Sequence, residues 1–148
     1  MTLGRFPATE PGLADLVGAA SDDILREAIG HAVRTAVRES GIDNQAVVDG
    51  LGLLSAASYG ESPQRNSLES VWRTLDQQAW ILAEAESPEY PQVFGKARAV
   101  NALWYALDSE PRIAGEGAIY EALHSVDDSA SLRNTLIRIL SHTDANTM

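Results

Sequence analysis

The sequence predicts an all-α fold: a single-domain bundle or orthogonal array of about six helices over residues 1–148, with 1–20 and 142–148 partly irregular or loose. Apolar residues recur at spacings of three and four along most of the chain, which is helical periodicity. No segment sustains two-residue alternation between turn signals, so strands are not expected. Short stretches rich in Pro, Gly, Ser and Asp divide the periodic segments.

Pro7, Pro11 and early glycines exclude a long helix at the start, leaving a short helical turn from Gly12 to Val17 and fraying before it. The first long helix is capped by Ser21, carries Asp22 and Asp23 at its positive end, and stops at Gly41. Ile24, Leu25, Ala28, Ile29, Ala32, Val33 and Ala36 form its inner arc; Glu27, His31, Arg34 and Arg38 face water. A second helix from Asn44 to Ser58 buries Val47, Val48, Leu51, Leu54 and Ala57, weakened by Gly50 and Gly52. The stretch YGESPQRNS reads as a loop, and Asn66 with Glu69 resembles a capping box that opens a third helix ending near Glu86. Leu68, Val71, Trp72, Leu75, Ala79, Leu82 and Ala83 face inward on it, while Arg73, Gln77, Trp80, Ile81 and Glu84 share the opposite side. That side is a candidate interface patch, with coverage by a neighbouring helix as the bland alternative.

Pro88 and Pro91 separate this helix from the densest apolar segment, VFGKARAVNALWYALD, residues Val93 to Asp108. Nearly its whole circumference is apolar or small, so most of it must touch protein. Only Arg98, Asn101, Tyr105 and Asp108 form a narrow polar line. This line reads first as a solvent-facing stripe, with a buried hydrogen-bonding network or a ligand or partner site as alternatives. A fifth helix from Ala114 to Val126 presents Ile119, Tyr120, Leu123 and Val126, and GEG at 115–117 reads as an adjustment of its start. A sixth, capped by Ser129 or Ser131, turns Leu132, Leu136, Ile139 and Leu140 inward. Helix pairs recur at roughly the 40–47-residue period of HEAT-like arrays. Asp128, Leu132, Arg133 and Leu136 resemble a HEAT second helix, making a short HEAT-like stack the alternative architecture.

Chemistry is excluded more readily than assigned. With no cysteine, the chain has no disulfide, thiolate metal site or thiol nucleophile. Glu121 and His124 have the E-x-x-H spacing of di-iron bundles, but lack the second motif and fall on the polar arc, where a solvated ion pair is expected. A metal-binding bundle or enzyme using Glu121 and His124 is the alternative function. Glu27 and His31 read as a surface pair rather than an acid–base couple. No nucleophile elbow, Walker motif or zincin motif occurs. Glu86 and Glu89 have the spacing of all-α nucleotide pyrophosphohydrolases, yet they bracket Pro88 and belong to a loop. No catalytic residue, cofactor or metal is therefore expected.

Eleven basic residues against twenty-one acidic ones give a formal charge of −10, unsuited to a phosphate backbone and suited to a basic protein partner. Neither an export signal nor a membrane span is visible, and a cytoplasmic location is compatible. Lys96 is the single lysine, and the arginine and alanine usage reads as the coding bias of a high-GC bacterium. In general character the chain resembles the small acidic helical immunity proteins of bacteria. The likeness implies a non-enzymatic regulatory or antitoxin-like binder, with a homodimer also compatible and a HEAT-like interaction scaffold as a further alternative.

Overall fold

The computed structural model describes residues 11–142. The expected fraying of the first residues and looseness of residues 143–148 lie outside them. Seven helices and no strand occur among the described residues: α1 Pro11–Ala19, α2 Asp22–Ser40, α3 Gln45–Ser55, α4 Pro63–Glu84, α5 Tyr90–Ala106, α6 Pro111–Ser125 and α7 Ser129–Leu140. The all-α expectation holds, with one more helix than anticipated. α2 packs against α5, α6 and α7 as well as reaching across the chain's middle, so the helices close around a shared core. An open stack of successive HEAT-like pairs would not bring α2 to α7.

The ends of the helices follow from local chemistry. Ser21 accepts a hydrogen bond from the Ile24 amide, and Gly41 at φ 70° ends α2 in the left-handed conformation that a side chain disfavours. Four expected starts are corrected. α1 is a full helix rather than the turn Gly12–Val17, because Leu13 and Val17 are completely buried. α4 begins at Pro63, not after Asn66: Ser62 accepts from the Arg65 amide and Pro63 fills the first turn, where its missing N–H costs nothing. Pro91 likewise lies in the first turn of α5 instead of separating two helices. In α7 the cap is Asp128, which accepts from the Ser131 amide, and not Ser129 or Ser131.

The core is built from Leu13, Val17, Leu25, Ile29, Val33, Val100, Leu103, Leu107, Ile119 and Leu136. At its centre is α5, which touches α2, α3, α4 and α6 and buries Gly95, Ala97, every residue from Ala99 to Leu103, and Ala106. α6 is nearly as enclosed. Gly115 and Gly117 lie inside it rather than at its start, and they let Leu25 and Tyr105 approach the helix backbone. α3 and α4 are the outer helices. Val48 and Ala57, expected inside, are exposed, and α4 fully buries only Arg65, Leu68 and Ala79. Val71, Trp72, Leu75 and Leu82 are half-covered and Ala83 is exposed, because α4 rests chiefly on α5 and α3 with no layer outside it among the described residues.

The carboxyl end of α5 is buried against other helices and must satisfy its carbonyls there. Arg26 donates to Ala106 O at 2.9 Å and Asp108 O at 2.7 Å, and Arg65 Nε donates to Trp104 O at 3.0 Å. The Gly60 amide donates to Leu107 O at 2.7 Å. Two cations thus meet the negative end of the helix dipole. Both are also stacked: Arg26 lies 3.6 Å from the Tyr59 ring centroid and Arg65 lies 4.1 Å from that of Trp104.

Candidate functional site

The polar line of α5 is not a wet stripe. Asn101 is buried, and Arg98, Tyr105 and Asp108 are only partly accessible, because α4 and α6 close over both sides of the line. Arg98 is its hub. One guanidinium nitrogen reaches Glu121 Oε1 of α6 at 2.7 Å, and another reaches both carboxylate oxygens of Asp76 on α4 at 2.5 Å. The Arg98 side chain is 15% exposed and that of Glu121 is 4% exposed, whereas Asp76 retains 36%. Burial by itself would lower the Arg98 pKa. The hydrogen bond that Arg98 donates to Asp76 and the charges of Glu121 and Asp76 outweigh it and hold the guanidinium above its ordinary range.

The remaining members of the line point to different neighbours. The Tyr105 ring lies on the α6 backbone at Gly117 and meets Trp104 edge-on at 5.1 Å. Asp108 accepts from the Glu110 amide and stands 3.7 Å from Arg65. Asn101 Oδ1 and Arg98 Nε are buried without a protein partner, as is Trp72 Nε1 across the helix interface. The line therefore ties α5 to α4 and α6. Its role as a ligand or partner site has no geometric feature in its favour beyond these unpartnered atoms.

Glu121 and His124 do not converge. The expectation that both occupy a solvated arc is corrected: Glu121 is 3% exposed and held by Arg98, because α6 is enclosed on almost every side. His124 is exposed, with Nδ1 2.8 Å from Tyr120 O and its ring 4.3 Å from the Tyr120 ring. Glu27 and His31 lie on the wet side of α2 as expected. Among the described residues no group of three or more His, Asp or Glu side chains gathers as a metal ligand set. No helix among them is long and apolar enough to cross a membrane.

The second candidate lies on the outside of α4. Trp80 is 68% exposed and Ile81 60% exposed, with Gln77 and Glu84 exposed beside them. No helix among the described residues covers them. Arg73, also exposed, is engaged by Glu69 at 2.9 Å and lies over the Trp72 ring. Beside Trp80 a crevice of about 420 Å³ runs between the second half of α4 and the start of α5. Asp76, Ala79, Trp80 and Ala83 form one wall, and Tyr90 and Phe94 form the other. The two rings of the second wall are 5.6 Å apart. A hollow of about 300 Å³ on the other flank, between Asn44 of the α3 start and Leu75, leaves α4 standing clear on both sides.

Sequence reasoning found Trp80 and Ile81 and missed Tyr90, Phe94 and Asp76. Tyr90 and Phe94 are four residues apart, a spacing that places them on one helical face. The signal was hidden by treating Pro91 as a separator when it is part of the first turn.

Comparison with protein-family models, with curated proteins and with solved structures finds no match, so a functional reading rests on this chain's own geometry.

Proposed function

We propose that this is a non-enzymatic binding protein of the bacterial cytoplasm, immunity- or antitoxin-like, which docks a basic protein partner on the outer face of α4. One observation carries the reading: adjacent Trp80 and Ile81 stand exposed near the end of a helix, on a side that no other helix among the described residues overlays. A large aromatic beside a branched aliphatic, ringed by polar residues, is the composition of an interface centre. The surroundings supply the sign of the partner's charge. Glu84, Glu86 and Glu89 are exposed around the patch, and the whole chain carries a formal charge of −10. Long-range attraction of this kind acts mainly on association rate.

The test is affinity capture with the wild-type chain and with Ile81→Asp and Trp80→Ala in parallel, identifying proteins that only the wild type retains. A basic protein lost from both variants, whose on-rate falls as salt rises, supports the proposal. A patch occupied by a second copy of the chain, seen as a dimer in sizing chromatography that Ile81→Asp dissolves, overturns it. So does a partner whose on-rate ignores ionic strength.

A further inference from the structure

We propose that the crevice between α4 and α5 receives the guanidinium of an arginine side chain presented by the partner. The proposal rests on the α4 face being a docking surface and specifies what anchors there. The crevice, about 420 Å³, falls within the size range of sites that enclose small groups. Its walls are three aromatic side chains, Trp80, Tyr90 and Phe94, with one carboxylate, Asp76. Aromatic faces attract cations, and the planar guanidinium stacks on them better than an ammonium does. The chain already uses this chemistry internally, with Arg26 on Tyr59 and Arg65 on Trp104.

Asp76 decides between a cationic and an apolar anchor. Both of its oxygens contact Arg98, yet the side chain is 36% exposed, and a carboxylate accepts about four hydrogen bonds. Covering it with a leucine would strip water from a charged group and offer nothing in return. A guanidinium would compensate. Arg98, 5.5 Å from the Phe94 centroid, repels such a guest, but the carboxylates of Asp76 and Glu121 outweigh it and leave the trio a formal charge of −1. Exposed Glu84, Glu86 and Glu89 add to the same field.

The experiment titrates the isotope-labelled chain with N-acetyl-arginine methylamide at low salt, following the Trp80 indole N–H and the Tyr90 and Phe94 ring signals by NMR. The lysine, citrulline and norleucine counterparts are run alongside. Saturable shifts at these three residues, strongest for arginine and weakened about tenfold or more for citrulline, are expected. Tyr90→Leu, which leaves the Asp76–Arg98–Glu121 network in place, should weaken arginine binding about tenfold, while Asn134→Ala, exposed on α7, leaves it unchanged. Citrulline or norleucine binding as well as arginine overturns the proposal, as does the absence of an arginine-dependent shift at Trp80 up to the solubility limit. Because the probe is a free amino-acid derivative, the outcome separates from that of the docking experiment: the crevice can bind arginine while Ile81→Asp loses no protein, and the reverse.

Discussion

The ring of Tyr105 lies against the backbone of Gly117 so closely that a Cβ on residue 117 would stand 2.3 Å from ring atoms Cγ and Cδ1. α5 and α6 approach each other at this point because one helix contributes a flat surface and the other contributes none. Replacing Gly117 by Ala gains up to about 1 kcal/mol of helix propensity. It also forces a whole ring aside, a change that costs about 1–3 kcal/mol in packed cores. The clash wins, and Gly117→Ala should lower the urea midpoint, with Tyr105→Leu in the same chain recovering part of the loss. Gly52 in α3 has no atom within 4 Å of its Cβ position. Gly52→Ala should raise stability by about 0.4–1 kcal/mol, so the two glycines give opposite signs in one denaturation experiment.

Arg98→Met takes from Glu121, 4% exposed at its side chain, the guanidinium that contacts it at 2.7 Å. Breaking a buried pair from one side costs about 3–5 kcal/mol. The double variant Arg98→Met with Glu121→Leu should be more stable than Arg98→Met alone, since it removes a buried carboxylate that has lost its guanidinium contact. The pH dependence has a definite sign. The folded-state pKa of Arg98 is raised, because interactions with Asp76 and Glu121 outweigh burial, so its contribution is complete at every pH below the ordinary arginine range. It is lost only as pH rises through the raised value. The stability contributed by protonation of Arg98 should therefore stay constant from neutral to mildly alkaline pH, measured as an Arg98→Met difference that does not shrink on alkaline titration.

Arg26 closes the end of α5 with two hydrogen bonds to its carbonyls and rests on Tyr59. Arg26→Met keeps the aliphatic stem and removes the donors, and should cost about 1.5–3 kcal/mol, the range for bonds made by a charged group. Arg38→Met, at an exposed position in the last turn of α2, is expected to change stability by about 0.5 kcal/mol or less. Thermal unfolding of the two variants side by side reads the difference.

Much of the helical arrangement was legible because α2 is amphipathic and well capped: Ser21, Asp22, Asp23 and Gly41 mark its ends, and its apolar arc is buried except for half-covered Ile24, with Gly30 and Thr35 buried besides. The enclosed status of α5 was legible too, since alanines and branched residues occupy most of its circumference. Glu121 shows where the method stops. A wheel drawn for α6 assigns its glutamate to water, but α6 is covered by several neighbours at once, and which face meets which neighbour is a property of the assembled core. The polar line of α5 failed for the same reason, being narrow enough for α4 and α6 to close over it. Trp80 and Ile81 were legible as a pair pointing away from the apolar stripe of α4. Their exposure was not, because coverage depends on a layer that the fold happens not to supply.

The tie between Gly60 and Leu107, the Ser62 cap and the bonds of Arg65 all grip the first turns of α4, and Leu68 is the last fully buried residue before Ala79. Beyond Ala79, Leu82 is half-covered and the other residues up to Glu84 are exposed. α4 is thus a cantilever, gripped hardest at its root and lightly held at its tip. Helical segments with few buried contacts open at lower free energy than the core they extend from. Opening of α4 is therefore expected to start at Glu84 and to reach Asp76, held by Arg98, only later. The last two turns should then exchange their amides faster than the turns around Arg65 and Leu68.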